Sequence, residues 1–136
     1  MPETPIRLDI EPLQKALAQL QSGIESSQKE PSSEIIRDGV IQRFEYTIDL
    51  CWKALQRYLV HIAQVQESTL RTKKDLFREA ARKGLIADAE AWIGYYEARN
   101  QTSHGYNTTS ALSVYGSALQ FPPAAEALLE ELRKCC

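Results

Sequence analysis

The feature that most constrains the fold is a run of apolar residues spaced three or four positions apart. The run comprises Ile36, Val40, Phe44, Ile48, Cys51, Leu55, Leu59 and Ile62. Because an α-helix turns once in about 3.6 residues, this spacing places the whole set on one helical face. With Ser33 as its N-cap, the pattern predicts a single helix over Glu34–Gln64. A helix of this length is the spine of a helical bundle, or is shared with a partner chain.

Shorter amphipathic helices are predicted on either side of this spine. Before residue 101 they cover Glu11–Ser27, Arg71–Lys83 and a segment that begins at Ala87 or Asp88 and runs into Asn100. Thr72 is the expected cap of the second of these helices. Gly84 and Gly105 are the expected ends of the second and third, since glycine is favoured just beyond a helix.

Two more helices are predicted at the C-terminal end. Thr108 or Thr109 is expected to cap the first of them, and its inner side is expected to carry Leu112, Tyr115 and Leu119. The prolines in Phe121–Pro123 interrupt this helix, because proline lacks a backbone donor and clashes with the preceding turn. The last helix is expected to bury Ala125, Leu128, Leu129 and Leu132.

These elements predict an all-α fold, an antiparallel up-and-down helical bundle. No segment alternates apolar and polar residues as a half-buried strand would. The 136 residues, of which 43% are hydrophobic and 25% charged, suit one domain with a core that needs no disulfide or metal. We therefore expect a single domain over 1–136, with 1–9 as a loose lead-in because Pro2 and Pro5 disfavour regular structure.

Charge and cysteine usage exclude several classes of protein. The net charge of −2 argues against a strongly basic nucleic-acid binder, although it permits a local basic patch. Cys51, Cys135 and Cys136 form no CxxC pair, and His61 and His104 are too few for a multi-histidine metal site. The first residues do not show the basic-then-apolar pattern expected of a signal sequence, and the given sequence contains no apolar stretch of about 18 residues and no glycine-rich phosphate loop. We expect a protein of the reducing cytoplasm with no cofactor and no membrane contact.

The polar segment Arg99–Tyr106 is the part of the chain best suited to chemistry. Cleavage of RNA without a metal needs a group of near-neutral pKa to take the proton of a 2′-hydroxyl, and a fixed cation to stabilise charge on the phosphate. His104 and Arg99 supply these groups, and Asn100 lies four residues before His104, where it can orient the imidazole. Ser103 shares a helical face with Arg99. The alternative is a purely structural cluster, because arginine and histidine also stabilise helix C-termini.

A second candidate surface is the basic segment Arg71–Lys83. It carries six positive and two negative side chains, a balance of +4. Lys73, Lys74 and Arg78 are its candidate contacts with RNA or with an acidic partner surface. A solvated helix face is the alternative interpretation.

The remaining aromatic and histidine residues have structural interpretations. Trp92, Tyr95 and Tyr96 have the spacing of a buried helix face, which favours packing over base stacking. His61 lies near the end of the spine among apolar residues, which favours a structural or surface role.

Five blocks of sequence occur in a recognisable order. They are Arg37–Thr47, Trp52–Lys53, Lys74–Ala80, Gly84–Ile86 and Arg99–Tyr106. Together they resemble the nucleotidyltransferase substrate-binding family of the HEPN superfamily, whose members are similar to the HepT toxins paired with MntA-type antitoxins. The similarity covers about residues 10–134, and the R-x4-H-x-Y pattern is specific when it occurs together with the other blocks.

The resemblance implies a four-helix core with extra short helices, in a homodimer whose two R-x4-H motifs face one cleft. It implies a metal-independent endoribonuclease with Arg99 and His104 as the catalytic pair, supported by Asn100 and Ser103. Tyr106 matches the tyrosine that the cognate MNT-type nucleotidyltransferase modifies with AMP to silence the toxin. An older interpretation of the family is a non-catalytic subunit that presents substrate to the nucleotidyltransferase and holds a nucleotide. A purely structural dimeric bundle is a third hypothesis.

Overall fold

The computed structural model describes residues 8–101 and 107–135, which fold into six α-helices. In chain order these are α1 (Glu11–Lys29), α2 (Glu34–Arg57), α3 (Lys73–Arg82), α4 (Ala89–Gln101), α5 (Thr108–Gln120) and α6 (Pro122–Cys135). A π-helical turn over Tyr58–Ile62 and a 3-10 turn over Glu67–Thr69 lie between α2 and α3. Since no β-strand occurs within these ranges, the predicted all-α bundle is confirmed.

The predicted spine is confirmed as α2, which contacts each of the other five α-helices of the described chain. Its buried residues are Val40, Ile41, Phe44, Thr47, Ile48, Cys51 and Leu55. Ser33 caps the helix as predicted, because its side chain accepts a hydrogen bond from the backbone N–H of Ile36 at 3.2 Å. Burial raises the pKa of the Cys51 thiol, so this cysteine stays protonated and serves as a small core residue.

The spine changes its geometry before it ends. Regular α-helix stops at Arg57, and the chain continues through the π-helical turn, in which the Ala63 N–H donates to the Tyr58 carbonyl at 2.9 Å. Gln64, predicted to be the last helical residue, has a left-handed backbone with φ of 58°. This conformation ends the spine two residues earlier than predicted, at Ile62.

Most of the other predicted helix ends agree with the structure. α1 begins where predicted and ends two residues later. The Thr72 side chain caps α3 by accepting from the Asp75 N–H at 3.0 Å, and Gly84 follows α3 with φ of 80°, a conformation that favours glycine. Asp88 opens α4, since its carboxylate accepts from the Ala91 N–H at 3.2 Å.

The cap of α5 was predicted wrongly. Asn107, rather than Thr108 or Thr109, precedes the helix, and its side-chain oxygen accepts from the Ser110 N–H at 2.9 Å. Asn107 has the extended backbone of an N-cap, and asparagine is at least as good a cap as threonine. Thr108 is therefore the first helical residue.

The inner face of α5 was also predicted wrongly. Leu112 is 54% exposed, whereas Tyr115 and Leu119 are half-buried. The fully buried residues are Ala111, Val114 and Ala118. Small side chains on this face let α5 pack closely against α2 and α4. The prediction was wrong because it was based on the size of the apolar residues rather than on which side of the helix they occupy.

One hydrophobic core joins all six helices. It extends from Leu8, which is buried just before α1, to Leu132 on α6. Residues 1–7, most of the predicted lead-in, lie outside the described residues, while the predicted inner face of α6 is confirmed by the burial of its leucines and Ala125. Among the helices of residues 8–101 and 107–135, none combines the length and the hydrophobicity that a membrane span requires.

Aromatic rings fill the centre of this core. The ring of Phe121 lies 5.3 Å, centroid to centroid, from each of Phe44, Trp92 and Tyr95. All three contacts are edge-to-face, the arrangement that aromatic pairs favour. Phe121 lies between α5 and α6, so its side chain connects the C-terminal helices to α2 and α4.

Phe121→Ala is expected to lower the free energy of unfolding by about 3–5 kcal/mol, because it removes three ring contacts and leaves a cavity. Urea denaturation measures the change. Leu112→Ala is the control, and its exposed side chain predicts a change within about 0.5 kcal/mol. Similar losses for both variants would contradict the burial described for α5 and Phe121.

Candidate functional site

An ion-pair cluster holds Arg99 near the C-terminal end of α4. Its Nε and Nη2 atoms donate to the two carboxylate oxygens of Asp49 at 3.1 and 3.0 Å. Its Nη1 atom donates to Glu45 at 3.1 Å. Asp49 and Glu45 lie one turn apart on α2, so both carboxylates face the same guanidinium. The two-pronged contact with Asp49 fixes the plane as well as the position of the Arg99 side chain.

The cluster lies at the edge of the core and is partly exposed. The side chains of Arg99, Glu45 and Asp49 are 27%, 25% and 28% exposed. The hydrogen bonding that Arg99 donates to Asp49 raises the pKa of Arg99, and the charges of Asp49 and Glu45 raise it further, against the opposing effect of partial burial. Arg99 is therefore a permanent cation. Together with the two carboxylates that bind it, it forms a cluster with a net charge of −1.

Asp49 connects this cluster to α3. Its Oδ1 atom accepts a second hydrogen bond, from the indole Nε1 of Trp52 at 3.2 Å. The ammonium group of Lys73, on α3, lies 3.9 Å from the centroid of the Trp52 ring. This distance suits a cation–π contact. Arg99 and Lys73 are thus linked through Asp49 and Trp52, and α2, α3 and α4 converge on one region.

The three candidate basic residues of α3 make different contacts. Lys73 is half-buried over Trp52, and Lys74 is exposed beside it. Arg78 lies one helical turn after Lys74 and pairs with Glu90 of α4 at 3.4 Å, where both side chains are mostly exposed. Lys73 and Lys74 therefore line one cleft together with Asn100, the neighbour of Arg99, whereas Arg78 is engaged in an ion pair outside that lining.

The other predicted site residues divide between described and undescribed parts of the chain. Asn100 follows Arg99 on α4 and is half-buried. Ser103, His104 and Tyr106 lie outside the described residues, so their geometry relative to Arg99 stays a prediction. His61 is exposed in the π-helical turn, as expected for a surface role.

The predicted packing role of the aromatic run on α4 is confirmed. Trp92 is 2% exposed, and its ring stacks on Phe77 with centroids 5.8 Å apart. Tyr95 and Tyr96 are half-buried against the same core. Within the described ranges, no three His, Cys, Asp or Glu side chains are grouped as metal ligands would be.

The sequence patterns did not predict the roles of Glu45, Asp49 and Trp52. A signal for the first two was present, since acidic residues four positions apart on a helix share one face. Their partner Arg99 is 50 to 54 positions further along the chain. Spacing alone therefore could not pair them.

Asp49→Asn is expected to lower the free energy of unfolding by about 1–3 kcal/mol, since it weakens two charge-assisted hydrogen bonds to a partly buried guanidinium. Urea denaturation measures the loss. The matched control is Glu90→Gln, which breaks an exposed ion pair of the same helix bundle and should change stability by less than about 0.5 kcal/mol. Equal effects of the two substitutions would show that the Arg99 cluster is no more than a surface ion pair.

Known proteins of one family are similar to this chain. The family model for proteins described as nucleotidyltransferase substrate binding protein like matches residues 8–134. A probable ribonuclease HepT from Haemophilus influenzae (strain ATCC 51907 / DSM 11121 / KW20 / Rd) is 37% identical over 103 residues. These cover 71% of this chain and 66% of that protein, so the match spans slightly less than two thirds of the relative.

Solved structures share the fold. A Haemophilus influenzae structure, presented as the fold of a substrate binding domain of a nucleotidyltransferase, matches with a TM-score of 0.81 and 30% identity. The match covers 92% of this chain and 99% of that one. A crystal structure from Thermus thermophilus matches with a TM-score of 0.76 and 34% identity, over 89% of this chain and 98% of the other. The chain belongs to the nucleotidyltransferase substrate binding protein-like family, as the five sequence blocks indicated.

Proposed function

We propose that this protein is a HEPN-type toxin, a metal-independent endoribonuclease that a cognate MNT-type nucleotidyltransferase antitoxin silences in the cytoplasm. The observation that carries the proposal is the guanidinium of Arg99, which three hydrogen bonds to Asp49 and Glu45 fix in place near the end of α4. His104 follows five positions later in the R-x4-H pattern. The 37% identity to a probable ribonuclease HepT supports the same assignment.

The proposed reaction uses the RNA's own 2′-hydroxyl as the nucleophile. His104 takes the proton of this hydroxyl, and the 2′-oxygen then attacks the adjacent phosphorus. The bond from phosphorus to the 5′-oxygen breaks, and that oxygen takes up the proton that the imidazole of His104 received, so no proton is gained or lost overall. The products are a 2′,3′-cyclic phosphate and a 5′-hydroxyl, so neither a metal ion nor a cofactor enters the balance. In a homodimer, the two R-x4-H motifs would face one cleft that holds the RNA.

Arg99 is suited to stabilise charge on the reacting phosphate. A guanidinium has five N–H donors, and the contacts with Asp49 and Glu45 use three of them. Two further N–H groups belong to the same rigid plane and would donate to phosphate oxygens. Asn100 and Ser103 are proposed to orient His104 and the phosphate from the same segment.

Purified protein is expected to cleave RNA in the presence of EDTA. His104→Ala should lower the cleavage rate by about 10²–10⁴-fold, because it removes the general base. The matched control is His61→Ala, since His61 is the other histidine of the chain and is exposed. Cleavage products are followed by gel electrophoresis with both variants confirmed as folded by circular dichroism.

Two results would contradict this assignment. Equal cleavage by wild type and His104→Ala would assign the activity to a contaminant. No cleavage by the wild type, with Arg99→Ala and His104→Ala changing only stability, would instead favour a structural bundle.

Tyr106 is proposed as the residue through which the antitoxin acts. AMP on this tyrosine, two residues from His104, would bring bulk and negative charge next to the catalytic pair and repel RNA phosphates. Incubation with ATP and the partner nucleotidyltransferase should add AMP to the wild type but not to Tyr106→Phe, as measured by mass spectrometry. Tyr46→Phe is the control, since Tyr46 is 56% exposed and should leave labelling intact. Unchanged labelling of Tyr106→Phe would exclude Tyr106 as the acceptor.

A non-catalytic substrate-binding subunit is the second candidate. It is favoured by the family description and by the Haemophilus influenzae structure presented as a substrate binding domain of a nucleotidyltransferase. This function predicts a stable complex with the nucleotidyltransferase and a bound nucleotide, without cleavage of RNA under any condition.

A further inference from the structure

A cleft between α3 and α4 lies beside the Arg99 cluster. Its volume is about 350 Å³, within the range of small-ligand sites. Phe77, Ile93 and Tyr96 provide apolar walls, and Lys73 and Lys74 lie on its α3 side. The volume suits a single planar ring system with a polar attachment rather than a folded polypeptide segment.

The aromatic wall of the cleft is fixed by the core. Phe77 is fully buried and stacks on Trp92 with centroids 5.8 Å apart. Tyr96 lies 6.2 Å from Phe77, centroid to centroid, and is half-buried. Because Phe77 is buried, Tyr96 is the ring that a flat ligand can reach, and its packing on Phe77 means that little reorganisation is needed to receive one.

The polar groups of the cleft favour an anionic ligand near α3. The Lys73 ammonium lies over the Trp52 ring, 3.9 Å from its centroid, and 6.0 Å from the centroid of Tyr96, so its charge is held beside the aromatic wall. Lys74 adds a second cation that is exposed to solvent. Glu97, on the α4 side, would repel an anion, which restricts phosphate to the lysine side. An apolar ring wall next to two ammonium groups matches a nucleoside phosphate.

The position of the cleft relates it to the proposed catalytic segment. Asn100 lines the cleft and is the neighbour of Arg99. We propose that the α3–α4 cleft is a subsite for one unstacked nucleobase of single-stranded RNA, whose flanking phosphate lies against Lys73 and Lys74. The inference rests on the proposed ribonuclease function for its choice of ligand. It assigns Tyr96 and Lys74 as binding residues for a nucleotide next to the scissile phosphate.

The test measures binding separately from cleavage. Short oligonucleotides with 2′-O-methyl riboses cannot be cut, because the nucleophilic hydroxyl is blocked. Their binding in EDTA is followed by tryptophan fluorescence, since the Trp52 ring contacts Lys73 and the Trp92 ring stacks on Phe77. AMP is titrated in parallel, so that a free nucleotide is distinguished from a nucleotide within RNA.

Lys74→Ala should weaken oligonucleotide binding about fivefold, as expected for one exposed ion pair. Tyr96→Leu should weaken it about fivefold or more through the loss of a stacking surface. Lys83→Ala is the matched control, because it removes an exposed cation at the other end of α3, outside the cleft, and should leave binding unchanged. Lys74→Ala changes only an exposed side chain, so it tests the cleft even if Tyr96→Leu fails to fold.

Three results of the binding assay would overturn the subsite. They are the absence of oligonucleotide binding, binding that neither Lys74→Ala nor Tyr96→Leu changes, and binding of AMP alone, which would assign the cleft to a free nucleotide. The ribonuclease proposal fails independently. Cleavage of RNA with an unchanged KM in both variants would overturn the subsite and keep the nuclease. Binding that depends on the cleft, without any cleavage, would overturn the nuclease and keep a nucleotide-binding cleft.

Discussion

The hydrogen bonds from Arg99 to Asp49 and Glu45 join the end of α4 to the middle of α2. Helix ends usually fray, and this contact holds the α4 end in a defined orientation just before the segment that carries His104. The side chains are about a quarter exposed, so only part of the desolvation cost of a buried ion pair applies. The position of the proposed catalytic cation therefore depends on α2, the helix that also supports the rest of the bundle.

The long apolar repeat made the spine predictable, because burial over many turns leaves little freedom for another structure. Caps at Ser33, Thr72 and Asp88 were predictable for a similar reason, since each side chain satisfies a backbone donor within three residues. The buried face of α5 was not predictable, because it is set by the neighbouring residues of α2 and α4. Alanines there indicate close approach only once those neighbours are known.

The candidate site was only partly predictable from the sequence. Arg99 stands out because of the residues that follow it, whereas its carboxylate partners lie about 50 positions away and have no local signature. The α3–α4 cleft also has no local signature in the sequence, since it forms between two helices whose individual patterns predict only which residues are buried. Candidate residues within a short segment can be singled out by their spacing, but surfaces made by packing require the fold.

The carboxylates around Arg99 also affect how strongly this residue would bind the RNA phosphate in the ground state and in the transition state of the proposed reaction. Two negative charges next to one guanidinium weaken its attraction for a singly charged RNA phosphate in the ground state. The phosphorane-like transition state carries more negative charge, and the oriented N–H donors of Arg99 would interact with it more strongly. Binding that increases towards the transition state accelerates a reaction, whereas uniform binding does not. A chain with a net charge of −2 therefore need not bind RNA tightly in order to cut it. Lys73 and Lys74 would add to the ground-state attraction that the two carboxylates weaken at Arg99.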